Sequence, residues 1–119
     1  MKEIECKHSL SHGEIVEKAK AAALTAEGLE EISNMFRMLG EPSRMKIILA
    51  LLQGEMCVYH IVEACGGQQS AVSHQLRVLK DNKIVKSRRD GQNVLYSLAD
   101  DHVERIVAIG KEHIGCENG

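Results

Sequence analysis

Residues 57–81 read CVYHIVEACGGQQSAVSHQLRVLKD, and this stretch decides the fold. Two glycines near its centre separate two segments of helical character, which we place at 57–65 and 68–81. In the second segment, apolar residues such as Leu76 and Leu79 recur at the spacing of one helix face. The pattern predicts two short helices joined by a tight turn.

The segment that follows, NKIVKSRRDGQNVLYSL at 82–98, changes from helical to strand-like periodicity. Residues 84–87 and 94–98 are rich in β-forming side chains, and Asp90-Gly91 lies between them. An Asp-Gly pair flanked by β-forming residues is a strong signal for a hairpin. A hairpin directly after two turn-linked helices predicts a winged helix-turn-helix.

Further helices are predicted on both sides of this unit. In chain order they are 10–24, Thr25 to Leu39, 42–53 and 100–114. Residues 1–9 are polar and are expected to form a flexible arm, so that 10–116 make up one domain. The predicted fold class is therefore mainly α with one β-hairpin.

Length and composition exclude several classes of protein. The chain has 119 residues, 44% hydrophobic and 27% charged, which is typical of a single globular domain. No apolar run approaches the roughly 18 residues of a membrane span, and the start of the chain has no signal-peptide core. We therefore expect a cytoplasmic protein whose four cysteines form no disulfide framework. No nucleophile–base pair or phosphate-binding loop is recognisable, so an enzyme is not expected.

Positive charge is concentrated in the predicted helix-turn-helix and hairpin. Residues 70–98 carry six basic and two acidic side chains, a local net charge of +4, although the whole chain carries −2. A local basic surface favours DNA binding even in an acidic protein, and amide, hydroxyl and basic side chains suit base edges and phosphates. The residues expected to contact DNA are Gln69, Ser70, Ser73, His74, Gln75 and Arg77 in the second helix, and Arg88, Arg89 and Gln92 in the hairpin.

Three runs in this region resemble one known family. They are EMCV at 55–58, SAVSHQL at 70–76 and RRDG at 88–91, the last followed by Tyr96. In combination they resemble the ArsR/SmtB family of metal-sensing repressors, and the resemblance extends over about residues 28–114. It implies a homodimer with helical dimerisation elements at both ends of the chain. It also implies that the metal-free form binds operator DNA and that metal binding loosens it.

The last predicted helix carries four side chains that can bind metal: Asp100, His102, His113 and Cys116. The two histidines lie about 16 Å apart along one helix, and metal–nitrogen bonds are only about 2 Å long, so one ion cannot reach both. Antiparallel pairing with a second chain solves this, because the first two residues then meet the last two of the partner in two equivalent sites. The first three match the zinc ligands that the resemblance implies, whereas Cys116 replaces the usual Glu or His.

A second candidate site lies near the start of the helix-turn-helix. Cys57 and His60 are three residues apart, so on the predicted helix they share a face. The resemblance implies that the partner's N-terminal arm completes a site here. The arm offers Cys6, His8 and His12. Tyr59 stands where cadmium and lead sensors have a second cysteine, and a core thiol without a metal role remains the alternative for Cys57. Cys65 is expected to serve packing alone.

The ligand types favour Zn(II) or Cd(II), with Co(II) and Ni(II) as further candidates. Two other functions fit parts of the sequence. A repressor of the same fold that senses thiol oxidation or an organic ligand would use Cys57 and Cys116, but it leaves Asp100 and the two histidines of the last helix unexplained. A metal-buffering protein without a DNA function would show no salt-dependent DNA affinity.

Overall fold

The structure, a computed structural model, describes residues 11–115, and these form six helices and three strands. In chain order they are α1 (His12–Ala22), α2 (Ala26–Leu39), α3 (Pro42–Leu51), β1 (Met56–Cys57), α4 (Val58–Cys65), α5 (Gln69–Asp81), β2 (Val85–Asp90), β3 (Asn93–Leu98) and α6 (Asp101–His113). The predicted mainly α fold with one hairpin is confirmed. Within the described range, no helix is both long enough and apolar enough to cross a membrane.

The chain divides into two compact units, of which the structure describes residues 11–32 and 33–115. In the described part of the first unit, Thr25 Oγ1 accepts a hydrogen bond from the N–H of Gly28, which confirms Thr25 as the cap of α2. Helix α1 has no buried residue, and Leu29 is 58% exposed. The predicted arm lies outside the described residues.

The second unit has one hydrophobic core to which α2, α3, α4, α5, β2 and α6 all contribute. No polar or charged side chain is buried among the described residues. The buried residues are Leu39, Ile47, Ile48, Leu51, Ile61, Val72, Leu76, Leu79, Ile84, Val85, Val103 and Val107. The predicted inward face of α5 is thereby confirmed, and α5 is fixed to the core along one side only.

The three strands form an antiparallel sheet in the order β1-β3-β2. Asp90 pairs with Asn93, which leaves a two-residue turn in which Gly91 has a φ of +64°. Both hairpin strands therefore extend closer to the turn than predicted. In β1, Met56 pairs with Tyr96. This strand was not predicted, because two residues are too few to show a periodicity.

Candidate nucleic-acid interface and metal half-sites

Helices α4 and α5 and the turn between them form a helix-turn-helix. The N–H of Gly66 donates to the carbonyl of Val62 at 2.7 Å and ends α4. Gly66 and Gly67 have φ values of +79° and +88°, which residues with a Cβ atom rarely adopt. Ile61 in α4 and Leu76 in α5 are fully buried. The glycine turn and the shared core therefore fix the direction in which α5 leaves α4.

The side of α5 that faces away from the core is polar and exposed. Gln68 provides no side-chain cap for α5, so the first N–H groups of the helix are free to meet an anion such as a phosphate. Small hydroxyl, amide and basic groups on such a face are suited to DNA. The exposed members of the predicted set are Gln69, Ser70, Ser73, His74 and Arg77.

Gln75 is half-buried at the edge of this face, and its predicted contact with DNA stays a prediction. Its Nε2 donates to Ser43 Oγ at 3.2 Å, and its Oε1 accepts from Arg44 Nη1 at 3.5 Å. Arg44 Nε in turn donates to the carbonyl of Met38 at 3.0 Å. Gln75 follows Val72 by three residues, a spacing that places it beside the buried stripe. It therefore connects α5 to α3 and to the end of α2.

The hairpin exposes Arg88, Arg89 and Gln92, as predicted. Arg88, however, is engaged: its Nε and Nη2 each donate to the carboxylate of Glu55 at 2.7 Å. This hydrogen-bonded pair lowers the pKa of Glu55 and raises the pKa of Arg88. Arg89 makes no salt bridge with any residue in 11–115. Sequence reasoning missed Glu55 because it lies 33 positions from Arg88, where no local pattern signals a contact.

Asp100 and His102 lie together at the start of α6. Asp100 caps the helix, its Oδ1 accepting from the N–H of His102 at 2.9 Å and from that of Val103 at 3.3 Å. These hydrogen bonds, that from Val103 first, lower the pKa of Asp100 and favour its ionised form. Oδ2 accepts no hydrogen bond from the described residues, and both side chains are exposed. A carboxylate oxygen and an imidazole are thus available to one ion.

His113 is the last residue of α6 and is exposed, whereas Cys116 lies outside the described residues. The length of α6 separates His113 from Asp100 and His102. Within 11–115, no three His, Cys, Asp or Glu side chains converge on a possible metal position. One chain therefore presents two incomplete ligand sets, and the predicted completion by a second chain stays a prediction.

Cys57 is positioned differently from the prediction. It is the last residue of β1 and the N-cap of α4, with extended backbone, so it does not lie on the helix with His60. The helix starts one residue later because Cys57 pairs with Leu95 in the sheet. His60 is exposed and Cys57 is half-buried. His12 begins α1 in the other unit, and the arm residues Cys6 and His8 lie outside the described range.

The packing role expected for Cys65 is confirmed. Its Sγ lies 3.5 Å from the carbonyl oxygen of Lys46, and its side chain packs against the core. Partial burial raises the pKa of the Cys65 thiol, so the thiolate that a metal requires is disfavoured.

A glycine-linked helix pair with one exposed polar face, followed by a basic hairpin, defines a DNA-binding protein of the winged helix-turn-helix class. Residues 41–87 match the family described as bacterial regulatory protein, arsR family. This chain belongs to that family, whose members are regulators of transcription.

Individual relatives cover nearly the whole chain. It is 37% identical to a transcriptional repressor SmtB homolog of Synechocystis sp., over 92% of this chain and 83% of that protein. It is 34% identical to a cadmium resistance transcriptional regulatory protein CadC homolog of Staphylococcus aureus, over 86% and 84%. A homodimeric winged helix-turn-helix DNA-binding domain from Mycobacterium bovis superposes with a TM-score of 0.71 at 27% identity, over 82% of this chain and 94% of that one.

Proposed function

We propose that this protein is a metal-responsive transcriptional repressor. Its metal-free homodimer binds operator DNA, and a divalent ion, Zn(II) or Cd(II) before Co(II) or Ni(II), releases it to derepress metal efflux or sequestration genes. The observation that carries the proposal is that one compact unit holds both an exposed polar α5 and an α6 with metal-binding side chains at its two ends. Its similarity to a repressor and to a cadmium resistance regulator supports it.

An apolar groove between α2, α3 and α6 supports the homodimer. It has a volume of about 420 Å³ and is lined mainly by Phe36, Leu39, Met45, Leu49, Ile106 and Ile114. Phe36 is 51% exposed, and Ile114 is 71% exposed. Exposed apolar surface of this kind marks an interaction site. The groove borders α6, so a second copy seated there would bring its own metal ligands close to this helix.

The donor set of α6 fits a borderline metal ion. Asp100 supplies a carboxylate with one uncommitted oxygen, and His102 and His113 supply imidazoles. Three or four such donors, with Cys116 as the fourth, suit tetrahedral Zn(II) and leave no open position for a substrate. The set is therefore regulatory. When bound, the ion supplies bonds that join the α6 helices of two chains.

Release from DNA follows from geometry and linkage. The two α5 helices of a dimer must fit half-sites about one helical turn apart. If α6 of each chain is fixed to its partner in an arrangement that does not fit this spacing, DNA affinity falls. Thermodynamic reciprocity then requires that DNA weaken metal affinity by the same factor. The Arg44–Gln75 hydrogen bond connects α3, which borders the groove, to α5.

The test replaces one ligand at the end of α6. A duplex selected in vitro by the purified protein is titrated with wild type, His113→Asn and the matched neighbour Glu112→Gln, with Zn(II) or with EDTA. We expect all three proteins to bind DNA in EDTA. We expect Zn(II) to raise the dissociation constant for DNA at least tenfold more for wild type and Glu112→Gln than for His113→Asn. A fully responsive His113→Asn refutes the assigned site.

The second proposed site uses Cys57 and His60 with the partner's arm. To test it, the number of Zn(II) ions bound per chain is measured for wild type and for Cys57→Ser. A lower stoichiometry supports this site, and an unchanged one limits metal binding to α6.

A further inference from the structure

We propose that Glu55 is a positioning residue that holds Arg88 away from DNA phosphates. Arg89 then makes the phosphate contact of the wing, which is the hairpin formed by β2 and β3. The proposal rests on the proposed DNA-binding function and deepens it. The Glu55–Arg88 ion pair then sets the strength and the salt dependence of DNA binding by the hairpin.

The sheet register shows how Glu55 directs Arg88. Arg88 pairs with Leu95, and Leu95 pairs with Cys57, so these three side chains lie on one face of the sheet. The Arg88 side chain crosses β3 toward β1 on that face. β1 and β2 run in the same direction, so Glu55 lies at the level of Lys86, farther from the hairpin turn than Arg88 is. The guanidinium is therefore drawn away from the wing tip.

The neighbouring arginine provides an internal comparison. Arg89 points to the opposite face of β2, since successive strand residues alternate, and it pairs with Val94. It is exposed, and no carboxylate in the described residues forms a salt bridge with it. The two adjacent arginines of the hairpin thus lie on opposite faces of the sheet, and only Arg88 has a carboxylate partner among the described residues.

The ion pair also removes the net charge that Arg88 would offer to DNA. Two N–H groups of its guanidinium already bind Glu55 in a two-bond arrangement. A phosphate that took over Arg88 would leave the Glu55 carboxylate unpaired beside a second anion, and like charges repel. Removal of the Glu55 charge therefore converts Arg88 into a free phosphate ligand, which increases DNA affinity instead of reducing it.

The experiment measures how DNA affinity depends on salt between 50 and 200 mM for a short duplex. Each phosphate contact adds about 0.9 to the negative slope of log affinity against log salt. A dimer has two wings, so we expect Glu55→Gln to steepen the slope by about 1.8. Between 50 and 200 mM salt, the DNA affinity of this variant should then fall about twelvefold more than that of wild type. We expect Arg89→Ala to flatten the slope. We expect Glu55→Gln with Arg88→Ala, which removes both charges of the ion pair, to keep the wild-type slope.

Glu31→Gln is the matched control, because it removes the same charge from an exposed position of α2. A wild-type slope for Glu55→Gln, or a flattened slope for the double variant Glu55→Gln with Arg88→Ala, overturns the proposal. If wild type binds no DNA, the proposed function fails, and a heparin column still tests Glu55. We expect Glu55→Gln to elute at higher salt than both wild type and Glu31→Gln, and equal elution overturns the proposal.

Discussion

At the scale of single residues, Glu41 determines where α3 begins. Its carboxylate oxygens accept hydrogen bonds from the N–H groups of Ser43 and Arg44, at 3.2 and 3.0 Å. Pro42 occupies the first turn, where a missing N–H has no consequence. Hydrogen bonds, that from the Ser43 hydroxyl first, lower the pKa of Glu41. The cap is therefore strongest when Glu41 is ionised.

This cap makes a pH-dependent contribution to stability. Because the folded pKa lies below the usual value of 4.5, the contribution is complete above pH 4.5 and is lost as the pH falls through the folded pKa. We expect Glu41→Gln to lower the melting temperature by a few degrees at pH 7 and to approach wild type at low pH. Thermal unfolding followed by circular dichroism measures the difference. Glu30→Gln serves as an exposed control, and an equal loss at both pH values contradicts the role of the charge.

Single residues also show what sequence reasoning can reach. Asp100 was placed at the start of the last helix, and its capping hydrogen bonds confirm that position. Gln75 is half-buried, as its three-residue spacing from Val72 indicates, whereas its hydrogen bonds to α3 carry no local signal. Glu55 and Arg88 had no such signal, since their contact depends on the pairing of β1 with β3.

At the scale of elements, the turn between α4 and α5 depends on backbone conformation. Gly66 has φ +79° and ψ −177°, a region that is essentially restricted to glycine. Nothing lies within 4 Å of a Cβ added there, so a substitution is opposed by backbone strain and not by crowding. We expect Gly66→Ala to destabilise the fold by about 1–3 kcal/mol. Denaturant unfolding measures this loss, and DNA affinity should fall with it because α5 changes direction.

Gly13→Ala is the control for this prediction. Gly13 lies in α1, and a Cβ there also meets nothing within 4 Å, but its backbone is helical. Alanine favours a helix over glycine by about 1 kcal/mol, so no loss of stability is expected. A Gly66→Ala variant as stable as wild type would show that the turn tolerates a side chain.

The elements differ in how far the sequence predicted them. The helices and the hairpin were found because several turns or alternating residues repeat one pattern. Their ends were less accurate: the helix predicted at 42–53 ends at Leu51, because Gln53 and Gly54 donate to Ala50 and Leu51 in a turn. β1 exists only through its pairing with β3, which no local pattern encodes.

At the scale of the whole molecule, each α6 separates its ligands by the length of the helix. Asp100 and His102 lie at one end, and His113 lies at the other. Two ligands bind an ion weakly, whereas three or four bind it well. If complete sets form only between two chains, an ion must prefer the dimer to the monomer, and by linkage it must strengthen the dimer.

Metal-dependent association therefore tests the shared site directly. We expect Zn(II) to lower the dimer dissociation constant of wild type by at least tenfold relative to EDTA, as measured by sedimentation equilibrium at low protein concentration. His113→Asn should lose this effect, and Mg(II), which prefers oxygen ligands in octahedral geometry, should not produce it. If Zn(II) releases DNA while the dissociation constant stays unchanged, the releasing ion does not join two chains, and the paired α6 helices are refuted as the metal site.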